Sequence, residues 1–99
     1  MERFEDPKRT IHVPADETFA VALSSNLTSG YTWELDVDSS RLEVIGETYE
    51  ADTRAVGASG KQVFRLRARS RGETRIVCKY HRPWEDKPRD QRELRVVAE

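Results

Sequence analysis

Apolar and polar residues alternate along most of this chain with a period of two. Between Thr18 and Ser24, Phe19, Val21 and Leu23 share one side while small or polar residues take the other, the signature of a half-buried strand. Tyr31, Trp33, Leu35 and Val37 alternate with Thr32, Glu34, Asp36 and Asp38, and Phe64, Leu66 and Ala68 alternate with Arg65, Arg67 and Arg69. Ile76, Cys78 and Tyr80 form a fourth run, and Leu94, Val96 and Ala98 a fifth. The stretches Thr10–Val13 and Leu42–Tyr49 are less regular but rich in β-branched and aromatic residues, and supply two weaker candidates. No window repeats its apolar positions at helical spacing. The pattern predicts an all-β chain, an immunoglobulin-like antiparallel β-sandwich of about seven or eight strands, with a barrel as the alternative closure. Pro83 and Pro88 lack the ladder donor, so Arg82–Arg89 is predicted to be a long loop.

Length and charge narrow this picture. At 99 residues the chain has apolar surface for one core, so residues 1–99 are read as a single domain. With 17 basic and 18 acidic side chains the formal net charge is -1, which gives no field toward nucleic acid or an anionic membrane; neither is expected as a partner. Arg65, Arg67, Arg69 and Arg71 form a basic ladder without interleaved aromatics, read as a solvated face that discourages edge aggregation. Glu34 and Asp36 are placed across from Lys79 and Arg75 on the other sheet, as exposed pairs. The residues after Met1 lack the apolar core of a signal peptide, so the chain as written reads as cytoplasmic, or periplasmic or secreted if a signal once preceded it.

Candidate chemistry is sparse. Cys78 is the single cysteine, which rules out an internal disulfide, and it shares the inward face with Ile76 and Tyr80, a setting for an inert thiol. His12 and His81 have no ligand-like spacing to it. No metal, cofactor or catalytic group is expected, and a monomer is.

Three segments between the strands are distinctive: Asn26-Leu27-Thr28-Ser29-Gly30-Tyr31, Gly57-Ala58-Ser59-Gly60 and Arg82-Pro83-Trp84. In this order they resemble the binding loops of the chagasin family of cysteine-protease inhibitors, which carry Asn-Pro-Thr-Thr-Gly-Tyr, Gly-x-Gly-Gly and Arg-Pro-Trp (or Phe). The likeness extends to Trp33, Phe64 and Tyr80 and covers nearly the whole chain. Leu27 stands where the family has proline, and Ser59 where it has the first glycine of the pair.

The resemblance implies that the three loops gather at one end of the sandwich and plug the cleft of a papain-like cysteine protease. It places Thr28 against the protease's catalytic cysteine and histidine with no scissile bond offered, Gly57–Gly60 along the non-primed side, and Trp84 on the primed side. The residue types suit those roles. Burying a tryptophan removes about 150–250 Å² from water, roughly 4–6 kcal/mol gross. Pro83 restricts the loop before binding, and Arg82 is suited to brace the turn through a carbonyl or carboxylate. A second reading, an immunoglobulin-like adhesion or scaffold module binding through a sheet face or edge, makes loop substitutions silent and face substitutions costly.

Overall fold

Eight strands account for most of the computed structural model, which describes residues 1–26, 29–52 and 59–99. They are β1 (Glu2–Glu5), β2 (Thr10–Val13), β3 (Thr18–Asn26), β4 (Thr32–Val37), β5 (Leu42–Ala51), β6 (Ser59–Ala68), β7 (Gly72–His81) and β8 (Asp90–Ala98). Two four-stranded sheets result, in the orders β1-β3-β6-β5 and β2-β8-β7-β4. The expected sandwich is present, and no α-helix occurs among the described residues.

The period-two pattern translates directly into packing. Phe19, Val21 and Leu23 of β3 and Phe64 and Leu66 of β6 face Ile76 and Cys78 of β7 and Leu94 and Val96 of β8, all buried in one cluster. Each large side chain there contributes roughly 1.5–3 kcal/mol relative to exposure. Trp33 joins this core, as its strand position predicts. Its indole Nε1 donates to Ser24 O at 2.8 Å, so the buried polar handle is satisfied.

Three expectations need correction. The sandwich is not wholly antiparallel: β1 pairs with β3 and β2 with β8 in parallel, the chain laying one short strand along the outer edge of each sheet before the other six are added. The Arg65 to Arg71 ladder does not guard an edge, since β6 lies between β3 and β5. The four side chains are exposed, as expected, and two of them tie neighbouring segments together, Arg67 to Glu43 at 3.3 Å and Arg69 to the Ser39 carbonyl at 3.4 Å. Finally, Glu34 does sit opposite Lys79, but within one sheet; Asp36 faces Val77, and Arg75 pairs with Glu93 of β8 at 2.7 Å.

Register decides where the loops fall. Asn26 at the end of β3 is the partner of Ser59 at the start of β6, and Gly60 is the partner of Ala51 at the end of β5. In the other sheet, Thr32 at the start of β4 meets His81 at the end of β7, and Tyr80 meets Asp90 at the start of β8. The β3–β4 connection runs from the first sheet to the second over a handful of residues. The β3–β4, β5–β6 and β7–β8 connections therefore share one end of the molecule.

Candidate functional site

The first and third loops lock into each other. Ser29 Oγ donates to Asn26 O at 2.7 Å and accepts from Tyr31 N at 3.2 Å, closing a small turn on its own backbone. Gly30 follows at φ +79°, a region that glycine enters without penalty. A Cβ at Gly30 would lie 3.3 Å from Trp84 Cη2, so this glycine supplies the turn and also the space against which the Trp84 ring rests. Leu27 and Thr28, both expected in the site, lie outside the described residues.

Arg82 is the brace expected of it. Its Nε donates to Ser29 O at 3.3 Å and its Nη1 to Glu85 Oε1 at 3.1 Å, while Glu85 N donates back to Arg82 O at 3.0 Å. The guanidinium also lies 4.4 Å from the centre of the Tyr31 ring and 5.9 Å from that of Trp84. Beneath it the rings stack inward, Tyr31 on Tyr80 at 5.2 Å and Tyr80 on Trp33 at 4.8 Å, which connects the loops to the buried core. His81 fixes the root of the third loop, with Nε2 3.1 Å from Glu34 Oε2 and Nδ1 3.2 Å from Arg82 O. Trp84 is left 72% exposed, the largest apolar side chain so presented.

Of the second loop, Gly57 and Ala58 lie outside the described residues, and Ser59 and Gly60 are strand rather than loop. Ser59 O accepts from Asp52 N at 2.9 Å, closing the mouth of the β5–β6 hairpin. The substitution at Ser59 carries no backbone strain: its φ is not positive, so a side chain is admitted there. Gly60 is constrained from inside the molecule. A Cβ on it would fall 2.3 Å from Glu50 O and 2.6 Å from the Tyr49 hydroxyl, so only glycine fits the strand at that point.

Sequence reasoning missed two further contributors to this end. Gln62 is buried between the sheets: its Oε1 accepts from Trp33 N at 2.8 Å, and its Nε2 donates to Thr32 Oγ1 at 3.0 Å. Extending the Phe64, Leu66, Ala68 alternation backward by one step would have placed it on the inward face. Arg89, between Pro88 and Asp90, also stands over the Tyr31 ring, 5.2 Å from its centre, and its N donates to Tyr80 O at 2.8 Å.

The described residues offer little reactive chemistry at this end. Burial pushes the Cys78 thiol up to about 11, as expected of an inert core residue, even though the Arg92 charge pulls the other way. Among the described residues no three His, Cys, Asp or Glu side chains are grouped to hold a metal. What this end offers is a braced ridge with an exposed aromatic, suited to filling a cleft in another molecule.

Comparison with known proteins places the ridge in context. The sequence model described as the chagasin family peptidase inhibitor matches residues 12–97. Amoebiasin-1 from Entamoeba histolytica is 32% identical over 87 residues, 83% of this chain and 81% of that protein. Two solved structures share the fold. A cysteine protease inhibitor from Entamoeba histolytica superposes with a TM-score of 0.85 at 22% identity, covering 99% of this chain and 95% of that one. PbICP-C, solved in complex with falcipain-2, superposes at 0.70 with 13% identity over the full length of both.

Proposed function

The chain belongs to the chagasin family of peptidase inhibitors, and from that membership we propose that its three-loop ridge enters the cleft of a papain-like cysteine protease and blocks it reversibly. It is an inhibitor and not an enzyme. The first loop, Asn26 to Tyr31, fills the centre of the cleft, with Thr28 against the catalytic pair. The segment Gly57–Gly60 flanks it on one side, and Arg82, Pro83 and Trp84 on the other.

The observation that carries this reading is the pair of hydrogen bonds that one guanidinium, that of Arg82, donates to Ser29 O in the first loop and to Glu85 in the third. A flexible loop offered to a protease adapts to the catalytic geometry and is cut. A ridge whose turns are already closed holds its backbone away from that geometry, and little conformational freedom remains to be lost on binding. Trp84, 72% exposed in the free protein, supplies apolar area that a cleft wall can cover. No covalent step is needed, and an unreactive Cys78 offers none.

Steady-state inhibition of a papain-like protease tests the reading. The expected result is competitive, tight-binding inhibition, with the protein recovered intact after prolonged incubation. Full protease activity in the presence of micromolar folded protein, or cleavage within the loops at the rate of an ordinary substrate, contradicts it.

A further inference from the structure

On the flank of the ridge the N-terminal strand carries a polar cluster that the loops themselves do not use. β2 covers β8 only along Arg95–Ala98, so the first half of β8 has no second neighbour in its sheet. Arg92 projects from that half on the same face as its register partner Cys78, toward the sandwich interior, and lies 5.0 Å from the centre of the Trp33 ring. Asp6, immediately after β1, closes this flank. It sits at φ +43°, a region that aspartate enters more readily than most residues, and its N donates to Ala22 O at 2.8 Å.

The Asp6 carboxylate gathers donors from three strands. It accepts from Ser24 N at 2.9 Å and Ser24 Oγ at 2.7 Å, from Lys61 Nζ at 3.2 Å and from Arg92 Nη1 at 3.4 Å. Every partner stands two residues from a loop: Ser24 before Asn26, Lys61 after Ser59, and Arg92 after Asp90, where β8 begins. From β1 itself, Arg3 crosses the outer face of the first sheet to Glu50 near the end of β5, donating from Nη1 at 2.9 Å and Nη2 at 2.7 Å. Between them on that face lie Ala20, Ala22 and Val63, whose small or compact side chains leave room for the crossing and are buried. Partial burial opposes ionisation of Asp6, but the bonds from Ser24 and Lys61 outweigh it and hold the carboxyl down to about 2. Residues 2–6 lie outside the stretch matched by the family model, residues 12–97.

We propose that Asp6, assisted by Arg3, is a positioning residue for inhibition, making β1 a strap that fixes the roots of all three loops relative to one another. This rests on the inhibitor reading above. Arg82 joins the first and third loops at the tip; Asp6 joins the roots of all three, its carboxylate reaching from the first sheet to Arg92 of β8. A rigid cleft meets the three loops as one body, and their relative drift in the free protein reduces the fraction that fits.

The test compares Asp6→Ala and Asp6→Asn with Val96→Ala, a cavity at a buried position of β8 at the opposite end of the molecule. Inhibition constants are measured against a papain-like protease well below each melting temperature, alongside amide hydrogen exchange. Asp6→Ala is expected to raise Ki about tenfold and to speed exchange at Tyr31 and Arg82 while leaving Ile11 and Val13 unchanged. Asp6→Asn, which keeps an acceptor for Ser24 but loses the charge facing Lys61 and Arg92, falls between Asp6→Ala and wild type. Val96→Ala lowers the melting temperature and leaves Ki unchanged, because loss of stability alone does not alter a protein that remains folded. An unchanged Ki in Asp6→Ala, or an equal rise in Val96→Ala at matched stability loss, overturns the strap. If wild type itself does not inhibit, the inhibitor reading falls; the exchange rates at Tyr31 and Arg82 then judge the strap alone. Should Asp6→Ala not fold, Asp6→Asn and Arg3→Ala are read by the same criteria.

Discussion

Replacing Trp84 with alanine should separate binding from folding more cleanly than any other single change. A tryptophan offers roughly 250 Å² of surface, and with 72% of Trp84 exposed in the free protein about 180 Å² remains for a partner to cover. At about 25 cal/mol per Å² that is roughly 4.5 kcal/mol gross. Part of it is offset by ordering of the ring and by incomplete coverage, so a loss of about 2–3 kcal/mol is expected, in the range of an interface hot spot. That corresponds to a rise in Ki of about 30- to 150-fold. The cost to folding is much smaller. The covered part of the ring, about 70 Å² against Gly30 and Arg82, is partly shielded in the unfolded chain as well. Less than about 1 kcal/mol should be lost, a shift in melting temperature of under about 5 °C. Progress curves against a papain-like protease and a thermal melt monitored by circular dichroism give the two numbers. A large fall in melting temperature with undiminished inhibition would show that Trp84 covers the sandwich end and does not contact the partner.

Arg82→Lys keeps the charge but loses the fork that bonds Ser29 O and Glu85 together. A rise in Ki of about tenfold, or about 1.4 kcal/mol, is expected by the same assay, and parity with wild type would remove Arg82 from the account. Gln62→Leu preserves volume but leaves Trp33 N and its neighbours without their partner. Urea unfolding should show a loss of about 2–3 kcal/mol; a neutral result would mean that water replaces the amide. Stability should also depend on Asp6 at low pH. With its carboxyl held at about 2 against an ordinary 3.8, its contribution is complete above 3.8 and is lost as pH falls through about 2. The shift corresponds to roughly 2.5 kcal/mol undiscounted, and screening by water at this partly open position leaves about 1 kcal/mol. Urea midpoints at about pH 5 and about pH 2 should fall further for wild type than for Asp6→Asn by that amount, and equal falls would contradict the assignment.

What the sequence discloses follows the range of the interactions involved. Strands β3, β6, β7 and β8 are legible because each carries its own alternation, and alternation is local. β1 is not: Glu2-Arg3-Phe4-Glu5 has one apolar residue, and it becomes a strand because Phe4 packs edge-on against Phe19 at 6.2 Å and its backbone pairs with β3. Its parallel direction is set by the topology of the whole chain. The site divides in the same way. Gly30, Arg82 and Trp84 are recognisable from short motifs, and the bracing role of Arg82 follows from the chemistry of a guanidinium beside a turn. Asp6 was missed because its partners Ser24, Lys61 and Arg92 are 18, 55 and 86 residues away. Gln62 was missed because a polar residue at the head of a strand looks solvent-facing until the opposite sheet is in place. At Gly60 the motif was legible but its cause was not, since the clash that excludes a side chain comes from Tyr49 and Glu50 on the paired strand.

The central claim is that the end bearing Asn26, Ser59 and Arg82 meets the protease. Amide hydrogen exchange of the protein alone and bound to a papain-like protease with its catalytic cysteine blocked by a small reagent measures this directly. Protection on binding should be confined to the segments 26–31, 57–60 and 82–89, with β2 and the Arg95–Ala98 half of β8 unaffected. Protection spread over a sheet face, with those three segments exchanging as in the free protein, would contradict it.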